Sequence, residues 1–437
     1  MMQKLITLWA FVLQNKTIGY GRAFEALLKS SFRRTTQTAL SAVLFCLAAA
    51  AACAASLPDQ TLPDKAVGLV KNGGFLVTKG GRIIAANNPD SLLMPASIIK
   101  IATACAALEI LGPAFCFETR FYHNKENDLY IRGFGDPALT SEEISTIMDV
   151  LKEKNVHQIR NILLDDSLFD IAADPDGSGR GLNPYDAANS ALAVNFNTVH
   201  IIVSREGAVQ SAEPQTPTLP LMKKMGKGLK PGVYRLNISS DKKNIIRHTG
   251  ELFRAIQKKK KIPGNGRNIH THVPDDLTPV YIHRSSKKLN SLIESLLLYS
   301  NNYIANQIFL TCGAKQSGYP ATWAKGRNAL TKYLNKELGI NEKAVKIYEG
   351  SGLSRNNRVT PRAMITILEA FRPYYMLLPL SDNRRVKSGT LTGVYSYAGY
   401  FLTDKQPDSF VLILNQNKNH RDRLLNILED IHSLPYP

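Results

Sequence analysis

The chain has 437 residues, of which 44% are hydrophobic and 21% charged, with a formal net charge of +18. That length suits two domains and a sizeable core, and the composition excludes wholesale disorder. Residues 1–56 hold six Lys/Arg and one Glu, so the remainder carries 48 basic against 35 acidic residues, an excess of 13.

Arg33 and Arg34 precede an uncharged stretch, 35–57, which is apolar over 40–55 and ends in small residues. A positive region, an apolar region and a small-residue cleavage zone in that order read as an export signal. The apolar run is short for a membrane-spanning helix, and Cys53 behind three alanines is a poor lipidation match. Export to the periplasm or the exterior of the envelope argues against nucleic acid as a partner. The basic excess, densest at 223–230 and 258–261, then has two readings: solvated loops, or peripheral attraction to anionic envelope polymers and lipid head groups. Beyond the signal, Cys105, Cys116 and Cys312 allow at most one disulfide. The absence of a CxxC pair excludes a zinc ribbon. His270-Thr271-His272 reads as strand alternation rather than a metal pair. No metal and no cofactor is expected.

In chain order, 74–78 and 82–86 are two apolar runs around Lys79-Gly80-Gly81, a hairpin pattern. Pro95 opens a helical stretch over 96–111, which Gly112-Pro113 stops. A strand at 128–132 leads into Gly133-Phe134-Gly135-Asp136-Pro137. Residues 141–154 are helical, with Ser141 as cap and Glu142-Glu143 suited to the first turn. Strands are expected at 162–164, 193–203 and 233–238, with loop over 207–230. Helices follow at 289–299, 303–312 and 321–338. Strands at 385–389, 395–401 and 410–415 precede an amphipathic helix over 420–432. An antiparallel sheet flanked by helices and built from both chain ends implies that the middle is an insertion. The expected division is an export region 1–56, a discontinuous catalytic domain 57–125 plus 250–437, and a smaller inserted α/β domain 126–249.

Ser97-Ile98-Ile99-Lys100 opens the first strong helical stretch, so Ser97 and Lys100 share a face one turn apart. A serine hydroxyl needs a neighbouring base, and a lysine serves if burial or another cation lowers its pKa. Backbone N–H groups at a helix start favour developing negative charge. Alone, this motif is more often a capping serine and a surface lysine. Two more segments change that. Ser300-Asn301-Asn302 lies between two helical stretches, and Lys387-Ser388-Gly389-Thr390 ends a strand. S-x-x-K, S-x-N and K-[ST]-G occur in the order that penicillin-recognising serine enzymes use.

The chain resembles the class C low-molecular-mass penicillin-binding proteins, the D-Ala-D-Ala carboxypeptidase/endopeptidase group, from about Val67 to the C-terminus. Besides the three motifs, the matching segments are Gly135-Asp136-Pro137-Ala138-Leu139-Thr140, Asp165-Asp166-Ser167-Leu168-Phe169 and Gly350-Ser351-Gly352-Leu353-Ser354-Arg355. The resemblance implies a β-lactamase-like mixed α/β fold, peptidoglycan peptides ending in D-Ala-D-Ala as substrates, and β-lactams as covalent inhibitors. It implies that Ser97 is the acylated nucleophile and Lys100 its base. Ser300 would relay the proton to the leaving D-alanine, and Asn302 would hold the substrate amide. Lys387 would bind the terminal carboxylate beside Ser388 and Gly389, and the N–H groups of Ser97 and Thr390 would form the oxyanion hole. Asp165 and Arg355 match positions that contact the diamino-acid side chain. Ser388 replaces the commoner Thr, and Glu349 stands where Asp usually precedes Gly-Ser-Gly. The insertion between Ser97 and Ser300 is short for the group. A β-lactamase and a non-catalytic envelope-binding relative are the alternatives. No G-x-S-x-G elbow supports a Ser-His-Asp hydrolase.

Overall fold

The computed structural model describes residues 62–171, 175–179 and 181–435. The export signal read over 33–57, with Cys46 and Cys53, lies outside them. Helix α1 (Leu62–Gly68) leads to the hairpin β1 (Gly73–Lys79) and β2 (Arg82–Asn87). Its turn residues Gly80 and Gly81 have φ of 56° and 79°, a conformation that glycine takes without strain. A 3-10 turn, Ala96–Ile99, runs straight into α2 (Lys100–Ile110). Residues 100–108 of α2 are buried on every side, as expected of a helix without a polar face.

The next stretch builds a second layer. It comprises β3 (Cys116–His123), β4 (Leu129–Gly133), α3 (Ser141–Glu153), β5 (Ile162–Asp165), β6 (Thr198–Val203), β7 (Val209–Ser211), α4 (Pro220–Gly226), β8 (Gly232–Asn237), α5 (Lys243–Lys259), β9 (Asn268–His270) and β10 (Tyr281–Lys288). Five strands form one sheet in the order β10-β3-β4-β5-β9, and β7-β6-β8 form another. Ile144, Ile147 and Met148 of α3 and Leu252, Phe253 and Ile256 of α5 share one hydrophobic core with these sheets.

Several expectations are corrected here. Residues 207–230 are not all loop: Leu219, Leu221 and Met222 are buried and anchor α4 beneath its exposed lysines. The basic run at 258–261 begins as the last turn of α5, where cations suit the helix dipole. Thr140, not Ser141, occupies the cap position of α3. Ser141 is buried, its amide donating to Asn195 Oδ1 at 3.0 Å. The strand expected from 193 starts only at Thr198, after three residues of positive φ at 195–197. The breaks expected at 125/126 and 249/250 fall in the β3–β4 turn and inside α5. The described residues from 62 onward cluster as one compact unit, and the β3–β4 and β5–β9 pairings span the two expected boundaries.

The chain then returns through α6 (Leu289–Tyr299), α7 (Asn302–Ser317), α8 (Trp323–Lys332), the short pair β11 (Val345–Lys346) and β12 (Arg358–Val359), and α9 (Pro361–Phe371). It ends in β13 (Leu380–Ser381), β14 (Arg384–Leu391), β15 (Val394–Phe401), β16 (Asp408–Leu414) and α10 (Arg421–Ser433). The six-stranded sheet has the order β13-β14-β15-β16-β1-β2, so both ends of the described chain meet in one antiparallel sheet, with Phe75 opposite Leu412. Every residue of β16 is buried, because helices cover both faces: α2, α7 and α9 on one, α1 and α10 on the other. Cys105, Cys116 and Cys312 are all free thiols. His270 pairs with Asp166, and among the described residues no cluster of three metal-binding side chains exists.

Candidate active site

Ser97 sits in the 3-10 turn ahead of α2. The approach to it is pinned from the far end of the chain: Met94 N donates to Asn415 Oδ1 at 2.8 Å, and Asn415 Nδ2 donates to Met94 O at 3.0 Å. Ala96 takes φ of 52°, a left-handed conformation costly for a residue with a Cβ and typical of functional sites. Gly352 packs on it so closely that a Cβ there would lie 2.0 Å from Ala96 O.

Lys100 is wholly buried. Its Nζ lies 3.0 Å from Ser97 Oγ, 2.7 Å from Asn302 Oδ1 and 2.5 Å from Ser351 O. Burial, then the nearby Lys387 cation, holds this amine well below the ordinary lysine range, with Glu349 opposing. A neutral amine has two hydrogens and one lone pair. Asn302 and Ser351 offer only acceptors, so they take the hydrogens and leave the lone pair facing Ser97.

Ser300 ends α6 in the left-handed conformation, φ 53° and ψ 37°. That sharp turn lets Asn301 cap α7 through Ile304 N at 3.0 Å and puts Asn302 at the helix start. Asn302 also donates from Nδ2 to Tyr185 O at 3.1 Å. Lys387 on β14, 2% exposed, donates to Ser300 Oγ and to Ser388 O, each at 2.9 Å. Burial, then the Arg421 cation, pushes its amine down to about 8. Gly389 runs against Ser97, while Ser388 and Thr390 are exposed. Arg421 donates to Gly389 O at 3.1 Å and to Thr390 Oγ1 at 2.9 Å.

Ser97, Lys100, Ser300, Asn302, Lys387 and the 388–390 strand therefore converge. Asp165 does not join them. It is buried at the end of β5, and its oxygens accept from Arg132 Nε (2.7 Å), Val273 N (2.9 Å), Ser167 N (3.0 Å) and Ser167 Oγ (2.6 Å). All four of its lone-pair sites are engaged by donors of the protein itself. Burial pushes its pKa up, but these hydrogen bonds outweigh that and hold it low. Arg355 is exposed and donates to Thr392 O at 2.9 Å, at the turn after β14.

Three charged residues around the site lacked a usable signal in the sequence. Glu349 registered only as a departure from a motif, and Arg421 only as the start of an amphipathic helix. Asp186 had none; it is buried beside Tyr185 and accepts from Gly179 N at 2.9 Å.

A family model described as the D-Ala-D-Ala carboxypeptidase 3 (S13) family matches residues 49–250 and 251–382. The chain is 26% identical over 429 residues to the D-alanyl-D-alanine carboxypeptidase DacB of Haemophilus influenzae, covering 82% of this chain and 87% of that protein. It is 26% identical over 357 residues to the D-alanyl-D-alanine carboxypeptidase of Actinomadura sp., covering 71% and 66% respectively. The crystal structure of penicillin binding protein 4 (dacB) from Haemophilus influenzae superposes with a TM-score of 0.70 at 20% identity, over 85% of this chain and 99% of that one. The fold is thus that of the penicillin-recognising serine enzymes, and the chain belongs to the D-Ala-D-Ala carboxypeptidase 3 (S13) family.

Proposed function

We propose that this protein is a serine D-Ala-D-Ala carboxypeptidase and DD-endopeptidase that cleaves peptidoglycan stem peptides through an acyl-enzyme on Ser97. The observation that carries this reading is the pairing of two hydroxyls with two buried amines, Ser97 with Lys100 at 3.0 Å and Ser300 with Lys387 at 2.9 Å. Ser97 Oγ attacks the carbonyl carbon of the penultimate D-alanine as its proton passes to Lys100 Nζ. The N–H groups of Ser97 and Thr390 stabilise the oxyanion. The C–N bond then breaks, and Ser300, hydrogen-bonded to Lys387, relays to the leaving amine the proton that Lys100 took from Ser97, so Lys100 returns to its neutral form. Water hydrolyses the ester and restores Ser97. Asn302 aligns the substrate amide. The Lys387 cation, flanked by Ser388, binds the terminal carboxylate of a carboxypeptidase substrate. Arg355, at the turn beyond Thr390, is placed to meet the diamino-acid side chain. In the endopeptidase reaction the leaving amine belongs to a cross-link.

The decisive experiment is labelling with a fluorescent penicillin. Stable labelling that disappears in Ser97→Ala supports the peptidase. Rapid turnover of the label identifies a β-lactamase, and no labelling identifies a non-catalytic relative. Mass spectrometry of products from muropeptides with free D-Ala-D-Ala ends and from cross-linked ones then gives the balance of the two activities. The export-signal pattern over 33–57 supports action outside the cytoplasm. The basic excess beyond residue 56 supports attraction to anionic envelope polymers. No helix among the described residues is long and apolar enough to cross a membrane.

A further inference from the structure

Glu349 is wholly buried behind the site, and its carboxylate accepts six hydrogen bonds. Oε2 accepts from Ser351 N (2.7 Å), Ser351 Oγ (2.5 Å) and Asn306 Nδ2 (3.0 Å). Oε1 accepts from Gly352 N (2.7 Å), Ser354 N (3.2 Å) and Asn357 Nδ2 (2.9 Å). Six donors converge on these two oxygens, the surroundings that suit a carboxylate. The loop it organises clamps the 3-10 turn and the start of α2 at three places. Ser351 O takes Lys100 Nζ, Gly350 O takes Thr103 Oγ1 at 2.7 Å, and Gly352 presses on Ala96 O.

We propose that Glu349 is the positioning residue of the acylation step: its hydrogen bonds fix the Ser351 carbonyl against Lys100 and set a buried carboxylate behind that amine. The proposal rests on Lys100 acting as the base. The charged groups around Lys100 are Lys387 from β14 and Glu349 from the 349–354 loop. Ser97, Asn302 and Ser351 supply neutral contacts. Burial and Lys387 favour the neutral amine, and Glu349 is the neighbouring charge that favours the ammonium. A base works best when its proton affinity lies near the operating pH. Glu349 supplies the opposing charge that keeps Lys100 from being too weak a base.

The test is the pH profile of second-order acylation by a fluorescent penicillin, measured on the full chain with melting curves as a check on folding. Removing the charge in Glu349→Gln lowers the proton affinity of Lys100, so the acid limb moves to lower pH by roughly one unit, the scale of a neighbouring charge. Glu349→Asp keeps the charge, so its limb stays within about 0.3 units of wild type while the plateau falls roughly tenfold through misplacement of Ser351. A folded Glu349→Gln with an unmoved limb overturns the proposal, as does an equal shift in both variants. Where Glu349→Gln does not fold, Glu349→Asp and Ser351→Ala carry the test. Both retain the charge and keep the wild-type limb, and a full-unit shift in either overturns the proposal. Normal labelling of Lys100→Ala would instead remove the underlying reading of the base, a separate and distinguishable result.

Discussion

Gly389 and Ser97 meet backbone to backbone: a Cβ built on Gly389 would sit 2.9 Å from the Ser97 amide nitrogen, 2.8 Å from Pro95 O and 2.3 Å from Ser396 Oγ. Ser396 Oγ itself donates to Pro95 O at 2.6 Å, so two strands hold the nucleophile's turn in place. A methyl group has no room there. Gly389→Ala must push β14 away from the turn and misalign the N–H pair at Ser97 and Thr390. A displacement near 1 Å costs on the order of 100-fold in rate. The penicillin acylation rate of Gly389→Ala is expected to fall by about that factor, and a rate within threefold of wild type would contradict the tight apposition.

Lys100→Ala removes the proposed base, the buried amine that bridges Ser97, Asn302 and Ser351. Acylation should fall by at least about 10³-fold, within the range for loss of a positioned base. A variant that still labels at the normal rate would take lysine out of that role.

The Lys387 amine, pushed down to about 8, is cationic below that pH and neutral above it. Carboxylate binding through Lys387 is therefore full on the acid side and fades as pH rises through about 8. KM for a D-Ala-D-Ala peptide should climb by up to about tenfold per pH unit beyond that point, as the charged fraction falls. Arg421→Met removes one of the two influences that depress this amine, so the rise in KM moves to higher pH. An unmoved alkaline limb in Arg421→Met would show that burial alone sets the amine.

Asp165→Ala leaves the Arg132 guanidinium, 21% exposed, without its partner and strips acceptors from Val273 and Ser167. The cost should be about 2–4 kcal/mol of stability, below the full figure for an entirely buried pair because Arg132 reaches solvent. Denaturant melts should show that loss while penicillin acylation of the folded protein stays at its normal rate. A loss confined to peptide cleavage, with unchanged stability, would restore a substrate role to Asp165.

Much of the site was legible locally. Ser97 and Lys100 lie one helical turn apart whatever else the chain does. The β1–β2 hairpin follows from two apolar runs around Gly80-Gly81, and β14, β15 and β16 follow from period-two and apolar runs. These features depend on neighbours within a few residues, where backbone geometry and side-chain spacing decide the outcome. β3 and β10 escaped because their mixed polar and apolar residues take sides only once a sheet is there to cover, whereas α5 carries an apolar stripe at helical spacing, Ile245, Leu252, Phe253 and Ile256, that local spacing does reveal.

The sequence by itself determined the reaction class of this protein: three short motifs, in order, each at the end of a regular element. Only the tertiary structure decided what surrounds each carboxylate. Asp165, expected as a substrate contact, accepts from Arg132, Val273 and Ser167, whereas Glu349, seen in the sequence only as a variant motif residue, is a buried carboxylate behind Lys100. The reason is physical: a carboxylate's function depends on which donors surround it and how far water is excluded. Packing between segments hundreds of residues apart sets both, and no local spacing encodes it.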